Sequence, residues 1–510
     1  MESIRSNIKD VLLVILSSTL LILAFPKTDW WLLSWAALVP FFYALERKGP
    51  RGCFILSFIA GVIFFAGTLY WFIYVTKLGA ALLVLYCSVY FGLFGCAYHF
   101  VRGKALGIKM IFLPGFWVTL EFARAHLMSG FGWASLGHSQ YKNLIFVQLA
   151  DGTGVFGISF LVVLVNVVVK GWVDQLMKKK KDDQLGKVSL ILAAFLLLVG
   201  GYGTYRLQEK TDGETVSIAV VQGNIPQELK WHEPYWPDIM EKYKILTRQA
   251  ALDAPDLIIW PETSFPGYVG EHDELFDQLK EFIAELGIPL LLGSVVREDD
   301  RYYNSAVLIS KEGKMDQRYD KLHLVPFGEY IPFRKFFPFL SQIVPIADFS
   351  KGTQFTLFAV PTKPQRHLAV LICFEDSMGY LSRLFVQQGA QLLVNITNDA
   401  WFGDTKAAFM HLQTAVFRSV ENRRELVRST NTGVSCFIDA KGRIKRFVQD
   451  KNGKQTYVLG HATEKARLHH SKTFYSHFGD IFSYFCFGAV LGVFFLERLS
   501  LKSVSARNSI

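Results

Sequence analysis

His367-Leu-Ala-Val-Leu-Ile-Cys373-Phe-Glu-Asp376 is an apolar run that stops at a thiol and two carboxylates. It reads as a buried strand breaking into a helix, with Cys373 presented at the turn. Two further segments give that thiol company. Asp256-Leu-Ile-Ile-Trp-Pro-Glu262 is a second apolar strand ending in a carboxylate. Tyr319-Asp-Lys321-Leu-His-Leu-Val-Pro-Phe-Gly-Glu329 sets a lysine just before a loop rich in Pro and Gly. A carboxylate that takes a proton, an ammonium that stabilises an oxyanion and a thiol nucleophile are the parts needed for covalent acyl transfer. The separations are 59 residues from Glu262 to Lys321 and 52 from Lys321 to Cys373, so the three can meet only through the fold.

The same character extends over residues 207–477. Short apolar runs at 217–222, 257–260, 290–293, 306–310, 368–372 and 392–396 alternate with helical stretches. These runs are continuously apolar rather than alternating, which marks strands buried on both faces. A sheet covered by helices, such as those expected over 271–286 and 377–388, is the economical arrangement. With about 270 residues the segment is long enough for one large core.

Outside it the chain changes. Of 510 residues 51% are hydrophobic, 15% aromatic and only 19% charged, and the mean hydropathy is +0.26, which is too apolar for an ordinary soluble protein. Stretches that can span a bilayer are expected at about 10–26, 29–45, 53–75, 79–101, 108–127, 155–173, 188–205 and 478–497. The first carries Arg5 and Lys9 ahead of its apolar core but lacks a small-residue cleavage site, so it is expected to remain as an anchor. The chain is thus expected to hold seven spans in residues 1–206, a catalytic domain in 207–477, and a last span with a tail in 478–510.

The net charge of +10 lies largely in short loops, which argues against a nucleic-acid surface. Arg5 and Lys9, then Arg47, Lys48 and Arg51, then Arg102, Lys104 and Lys109, then Lys178 to Lys181, then Arg498, Lys502 and Arg507 all fall on one side if there are eight spans. Basic short loops stay cytoplasmic, so both termini are expected inside and residues 207–477 outside the cytoplasm.

The six cysteines show no paired spacing, and Cys53, Cys87, Cys96 and Cys486 fall in expected spans. Cys436, in Gly-Val-Ser-Cys-Phe-Ile, reads as a small apolar residue in a core strand. Within the membrane region Glu121 and Arg124 stand three apart on one helix face, as a functional pair or a helix-end salt bridge. The Gly- and aromatic-rich stretch 130–138 that follows suits a re-entrant or interfacial loop. No metal-ligand spacing and no phosphate-binding loop is found, and no cofactor is expected.

The contexts Trp-Pro-Glu262-Thr, Tyr-Asp-Lys321-Leu-His-Leu-Val-Pro-Phe-Gly-Glu329-Tyr-Ile-Pro and Ile-Cys373-Phe-Glu375 resemble the three signature blocks of the nitrilase, or carbon–nitrogen hydrolase, superfamily. With spans on both sides, they resemble the apolipoprotein N-acyltransferase family of bacterial envelopes. The likeness includes Val221-Gln-Gly-Asn-Ile-Pro-Gln227 and Thr397-Asn-Asp-Ala-Trp-Phe-Gly403. It implies a multi-span α-helical membrane domain joined to an α/β, nitrilase-like α-β-β-α sandwich in the bacterial cytoplasmic membrane. It implies Glu262 as general base, Lys321 as transition-state stabiliser and Cys373 as nucleophile. Glu329 resembles a second glutamate that holds the lysine and substrate; as a plain loop carboxylate it would pair with Arg334.

Glu375 is a support of the site or a charge at a helix N-terminus. Relatives with tyrosine at the Phe374 position place in doubt any role needing that hydroxyl. Trp231, with Gln227, matches a position near the substrate entrance or is a packing aromatic. Asn398 and Asp399 belong to a loop that supports the site, while Trp401 and Phe402 suit that loop or a lipid interface. The implied partners are a phospholipid acyl donor, phosphatidylethanolamine being expected, and a diacylglyceryl apolipoprotein acceptor, with the enzyme a monomer. The rival readings are a membrane-tethered amidase or nitrilase, with water as the second nucleophile, and an inactive envelope receptor or scaffold.

Overall fold

The computed structural model describes residues 2–178, 183–210, 213–331, 348–360 and 365–507, with the backbone alone for 2–6, 178, 183 and 500–507. Lys179 to Lys181 and Arg334 lie outside the described residues. The chain divides into two units, one of Met1–Glu209 with Phe478–Ile510 and one of Lys210–His477.

The first unit is helical. Among the described residues, six helices are long and apolar enough to cross a membrane: Pro50–Tyr74, Lys77–Val101, Leu106–His126, Ala150–Met177, Gln184–Gln208 and Ile481–Leu499. The expected span at 10–26 falls largely on the helix Glu2–Leu23. The one expected at 29–45 is broken, a 3-10 turn Trp31–Trp35 followed by an eight-residue helix Leu38–Leu45. Backbone groups freed by such a break need partners where water is absent. Asn166 supplies them, its Oδ1 accepting from the Leu38 N–H at 2.8 Å and its Nδ2 donating to the Ser34 carbonyl at 2.8 Å.

Glu121 and Arg124, both buried, bind loop backbone. Glu121 Oε1 accepts from Trp117 Nε1 at 2.8 Å and from the Leu136 N–H at 2.7 Å. Arg124 donates to the carbonyls of Phe131 at 2.9 Å and Trp133 at 2.6 Å. The pair therefore braces the aromatic 130–138 stretch from within, a use that neither sequence reading named.

In the second unit, among the described residues, the strands are β1 (Thr215–Gln222), β2 (Leu257–Ile259), β3 (Tyr268–Val269), β4 (Leu290–Glu298), β5 (Arg301–Ile309) and β6 (Met315–Asp320). They continue with β7 (Leu357–Val360), β8 (Arg366–Ile372), β9 (Leu392–Thr397), β10 (Leu426–Thr430), β11 (Cys436–Ile438), β12 (Ile444–Phe447) and β13 (Gly460–Arg467). One sheet runs β13-β1-β2-β4-β5-β6 with β3 beside β4, and the other runs β12-β11-β10-β9-β8-β7. The strand that leads to Glu262, β2, pairs in parallel with both β1 and β4, and the one that leads to Cys373, β8, pairs in parallel with β9 and antiparallel with β7. That explains their continuous apolar runs.

Helices Trp236–Ala251 and Asp273–Leu286 cover the first sheet, burying Ile239, Tyr243, Leu246, Leu279 and Ile283 against Ala219, Ile258, Leu290 and Val307. Helices Gly379–Gln387 and Ala407–Asn422 contact the second sheet at β8 and β10. Between the sheets the Ser429 hydroxyl of β10 donates to the carbonyls of Val221 (3.3 Å) and Ile259 (3.1 Å). The layers are α-β-β-α. The second expected helix begins later than its sequence suggests, because Cys373–Ser377 forms a 3-10 turn before Gly379.

Candidate active site

Glu262 stands three residues past β2, where Pro261 ends the strand. Its turn is pressed against β4 at Gly293, where a Cβ would lie 2.5 Å from the Glu262 Cα, so no larger residue fits. Both carboxylate oxygens are held. Oε1 accepts from Asn304 Nδ2 at 2.8 Å, and Oε2 accepts from the backbone N–H of Asn398 at 2.9 Å. Lys230, buried beneath the same turn, donates to the Glu262 carbonyl at 3.1 Å and to Thr263 Oγ1 at 2.7 Å. Burial holds this ammonium down to about 7, against the pull of the Glu262 charge.

Lys321 leaves the end of β6 and is almost wholly buried. Its Nζ lies 2.8 Å from Glu329 Oε1 and 3.6 Å from Glu262 Oε1. Burial by itself disfavours the ammonium, but Glu329 and then Glu262 outweigh it and keep the lysine charged. The Asn304 amide also donates to Glu329 Oε1 at 2.7 Å, so one amide bridges the two carboxylates. Glu329 Oε2 accepts the Val325 N–H at 2.8 Å, which closes the Pro/Gly loop onto the lysine.

Cys373 follows β8 directly and takes a left-handed backbone conformation, φ 52°, unusual for a residue with a Cβ. Strain of this kind at a half-buried thiol presents the side chain at the head of a strand, as a nucleophile requires. Burial first, and the Glu262 charge second, push the thiol well above its ordinary range, against Lys321 and the Thr397 hydroxyl. The resting thiol is therefore protonated, and attack needs a base at the moment of reaction.

Glu375 is fully buried and ties the nucleophile turn to the lysine loop. Oε1 accepts from the N–H groups of Leu322 (2.7 Å) and His323 (2.9 Å), and Oε2 from the Ile372 N–H (2.8 Å). The Tyr319 hydroxyl donates to both oxygens, at 2.9 and 3.0 Å. Burial raises this carboxyl to about 7 against those donors. Of the two sequence readings, support of the site is the one this geometry favours.

Asn398 links a third loop: its Nδ2 donates to Gln227 Oε1 at 2.7 Å, while its backbone N–H holds Glu262. Trp231 is partly exposed and stacks on Tyr268 with ring centroids 6.1 Å apart. Phe374 lies beside His323, centroids 6.1 Å apart, and Trp401 is half exposed. The structure thus joins Glu262, Lys321, Glu329 and Asn398 through hydrogen bonds or ion pairs, with Cys373 in their field. It leaves Trp231 and Trp401 toward the surface. Cys436 is buried in β11, its thiol pushed up to about 12 by burial.

Asn304, Lys230, Asp376, His411 and Arg428 were given no role by the sequence, whereas Asp399, read with Asn398 as part of a supporting loop, joins Asp376, His411 and Arg428 in a buried cluster. Lys230 carried a signal, since it immediately precedes Trp231 in the block that includes Gln227. The arrangement can deprotonate a thiol, stabilise negative charge beside it and shield a covalent intermediate from water.

Residues 17–168 match the apolipoprotein N-acyltransferase N-terminal domain, and residues 217–459 match the carbon-nitrogen hydrolase family. An apolipoprotein N-acyltransferase of Geobacter metallireducens is 38% identical over 97% of this chain and 96% of its own. That of Methylococcus capsulatus is 35% identical over 71% of this chain and 70% of its own. Among solved structures, an amidase from Nesterenkonia sp. is 18% identical, covers 51% of this chain and 93% of its own, and has a TM-score of 0.38. The chain belongs to the apolipoprotein N-acyltransferase family.

Proposed function

We propose that this chain transfers a fatty acyl group from a phospholipid, through a thioester on Cys373, to the N-terminal amine of diacylglyceryl-cysteine on an apolipoprotein. The observation that carries this reading is the charged, buried Lys321 set between Glu262 and Glu329 next to a protonated thiol, in a chain that also holds apolar helices long enough to span a membrane.

In the first half-reaction Glu262 takes the thiol proton as Cys373 Sγ attacks the ester carbonyl. Lys321 and the N–H of Phe374 stabilise the oxyanion. The ester C–O bond then breaks, Glu262 returns the proton to the departing lysophospholipid oxygen, and a thioester remains. In the second, the acceptor amine attacks the thioester and Glu262 takes its proton. The C–S bond breaks, and the thiolate is reprotonated as the amide leaves. Phosphatidylethanolamine is the donor we favour, and the enzyme works as a monomer.

Both substrates are membrane-anchored, and extracting a lipid costs about 0.8 kcal/mol per CH₂, which gives fused spans a purpose. We place the chain in the bacterial cytoplasmic membrane with eight passes, both termini inside and residues 207–477 on the periplasmic face, from the side on which its basic loops fall. The amidase reading is less favoured, because a hydrolase of small amides needs one anchor at most.

The test is purified protein in phosphatidylethanolamine vesicles with a synthetic diacylglyceryl-cysteine peptide. The expected product is peptide heavier by one acyl group and blocked at its N-terminus. Peptide left unmodified while small amides release ammonia would give the hydrolase reading instead.

A further inference from the structure

Beneath Cys373 lies a cluster that the reaction scheme does not use. His411, Asp376, Asp399 and Arg428 are all at most 2% exposed. His411 Nδ1 lies 2.9 Å from Asp399 Oδ1, and Nε2 lies 2.9 Å from Asp376 Oδ1 and 3.2 Å from the Cys373 carbonyl oxygen. Ionised carboxylates and carbonyls only accept, so both ring nitrogens must carry a proton and the ring is an imidazolium. Arg428 closes the ring of charges, donating to Asp376 Oδ2 at 2.8 Å and to Asp399 Oδ2 at 3.3 Å. Asn395 Nδ2 gives the Cys373 carbonyl a second donor at 3.1 Å, and Arg428 donates to Asn395 Oδ1 at 2.7 Å.

The Cys373–Phe374 peptide is trans, so its carbonyl and its N–H point to opposite faces of one plane. A cation on the carbonyl side fixes that plane and draws electron density from the N–H on the other. We propose that His411 is a positioning residue for the oxyanion: through the Cys373 carbonyl it orients and polarises the peptide whose far side carries the Phe374 N–H. The proposal rests on the acyl-thioester reading above. The same imidazolium reaches Glu262 as well, because Asp399 adjoins Asn398, whose N–H holds the Glu262 carboxylate. The groups facing His411 include Asp376, Asp399, Arg428 and the Cys373 carbonyl. With these partners it keeps its proton to about pH 9, although burial and Arg428 both work against the charge.

The readout is the carbonyl stretch of the acyl-enzyme, formed from phosphatidylethanolamine with ¹³C at the ester carbonyls and followed by infrared difference spectroscopy. In wild type at pH 7 the band is expected below that of a free S-acyl cysteine. In His411→Gln it moves back up, and acyl-enzyme formation slows by about tenfold or more. A second arm needs no variant: the wild-type band moves up as pH is raised through about 9, where His411 loses its proton. A band unchanged by the substitution and by pH, with slower acylation alone, would reduce His411 to a structural residue and overturn the proposal. Failure of wild type to form any acyl-enzyme would overturn the acyl-transfer reading, and this proposal with it.

Discussion

Two buried ionic clusters adjoin Cys373, and they are balanced differently. The first sets one ammonium, Lys321, between two carboxylates, Glu262 and Glu329, with the Asn304 amide bridging them. The second sets two cations, His411 and Arg428, against two aspartates, each carboxylate touching both cations. Buried charge is costly unless compensated. The matched set therefore suits a fixed framework, whereas the unmatched set has a carboxylate available to exchange a proton. Proton handling and rigidity are thus assigned to different residues a few ångströms apart.

The largest effect that bears on this contrast lies between the clusters. Cys373→Ser should lower acyl transfer by about 10⁴-fold or more, because the hydroxyl is the poorer nucleophile and serine gives no thioester to discharge. A rate within tenfold of wild type would mean that the thiol is not the nucleophile. Next come Lys321→Met and Glu262→Gln, each expected to cost about 10²–10³-fold in rate with the fold retained, read by peptide acylation and by thermal unfolding together.

Arg428→Met should show the reverse weighting. It leaves Asp376 and Asp399 with a single cation, at about 3–5 kcal/mol, so the melting temperature falls far more than in Glu262→Gln, which leaves Lys321 paired with Glu329. Equal losses of stability in the two clusters would erase the distinction.

The smallest effect concerns Glu375. Its folded value of about 7 exceeds the unfolded 4.5, so between those values the folded protein holds a proton that the unfolded chain has released. Stability contributed by the protonated carboxyl is full below about pH 4.5 and is lost as pH rises through 7. Melting temperatures measured from pH 4.5 to 8 should decline more steeply in wild type than in Glu375→Gln. Parallel curves would show that Glu375 does not titrate in this range.

The residues legible in the sequence share one situation. Glu262, Lys321 and Cys373 each stand at or just past the end of a strand, beside Pro or Gly or at the break from strand to helix, where a polar side chain has no packing reason to be. The continuous apolar strands β1, β2, β4, β8 and β9 were legible for a related cause, being buried on both faces. By contrast β6 (Met-Asp-Gln-Arg-Tyr-Asp) and β12 (Ile-Lys-Arg-Phe) are polar and partly exposed, so their composition does not announce a strand.

Asn304 was hidden because it sits inside β5 among ordinary strand residues, and only the pairing of β5 with β4 and β6 brings it to both glutamates. His411 was hidden in a helix, Ala407–Asn422, that is buried at nearly every position although seven of its 16 residues are polar. Arg428, inside the wholly buried Leu-Val-Arg-Ser-Thr of β10, was the one available signal: an arginine in a core strand demands buried partners. The broken span at 31–45 followed the same pattern, since its repair by Asn166 comes from a residue more than 120 positions away.

The most direct test of covalent transfer is the intact mass of the purified protein after incubation with phosphatidylethanolamine and no acceptor, for wild type and Cys373→Ala. The account predicts a gain of one fatty acyl group in wild type, absent from the variant and discharged by a diacylglyceryl-cysteine peptide. An unmodified wild-type mass, or an adduct that persists in Cys373→Ala, would contradict it.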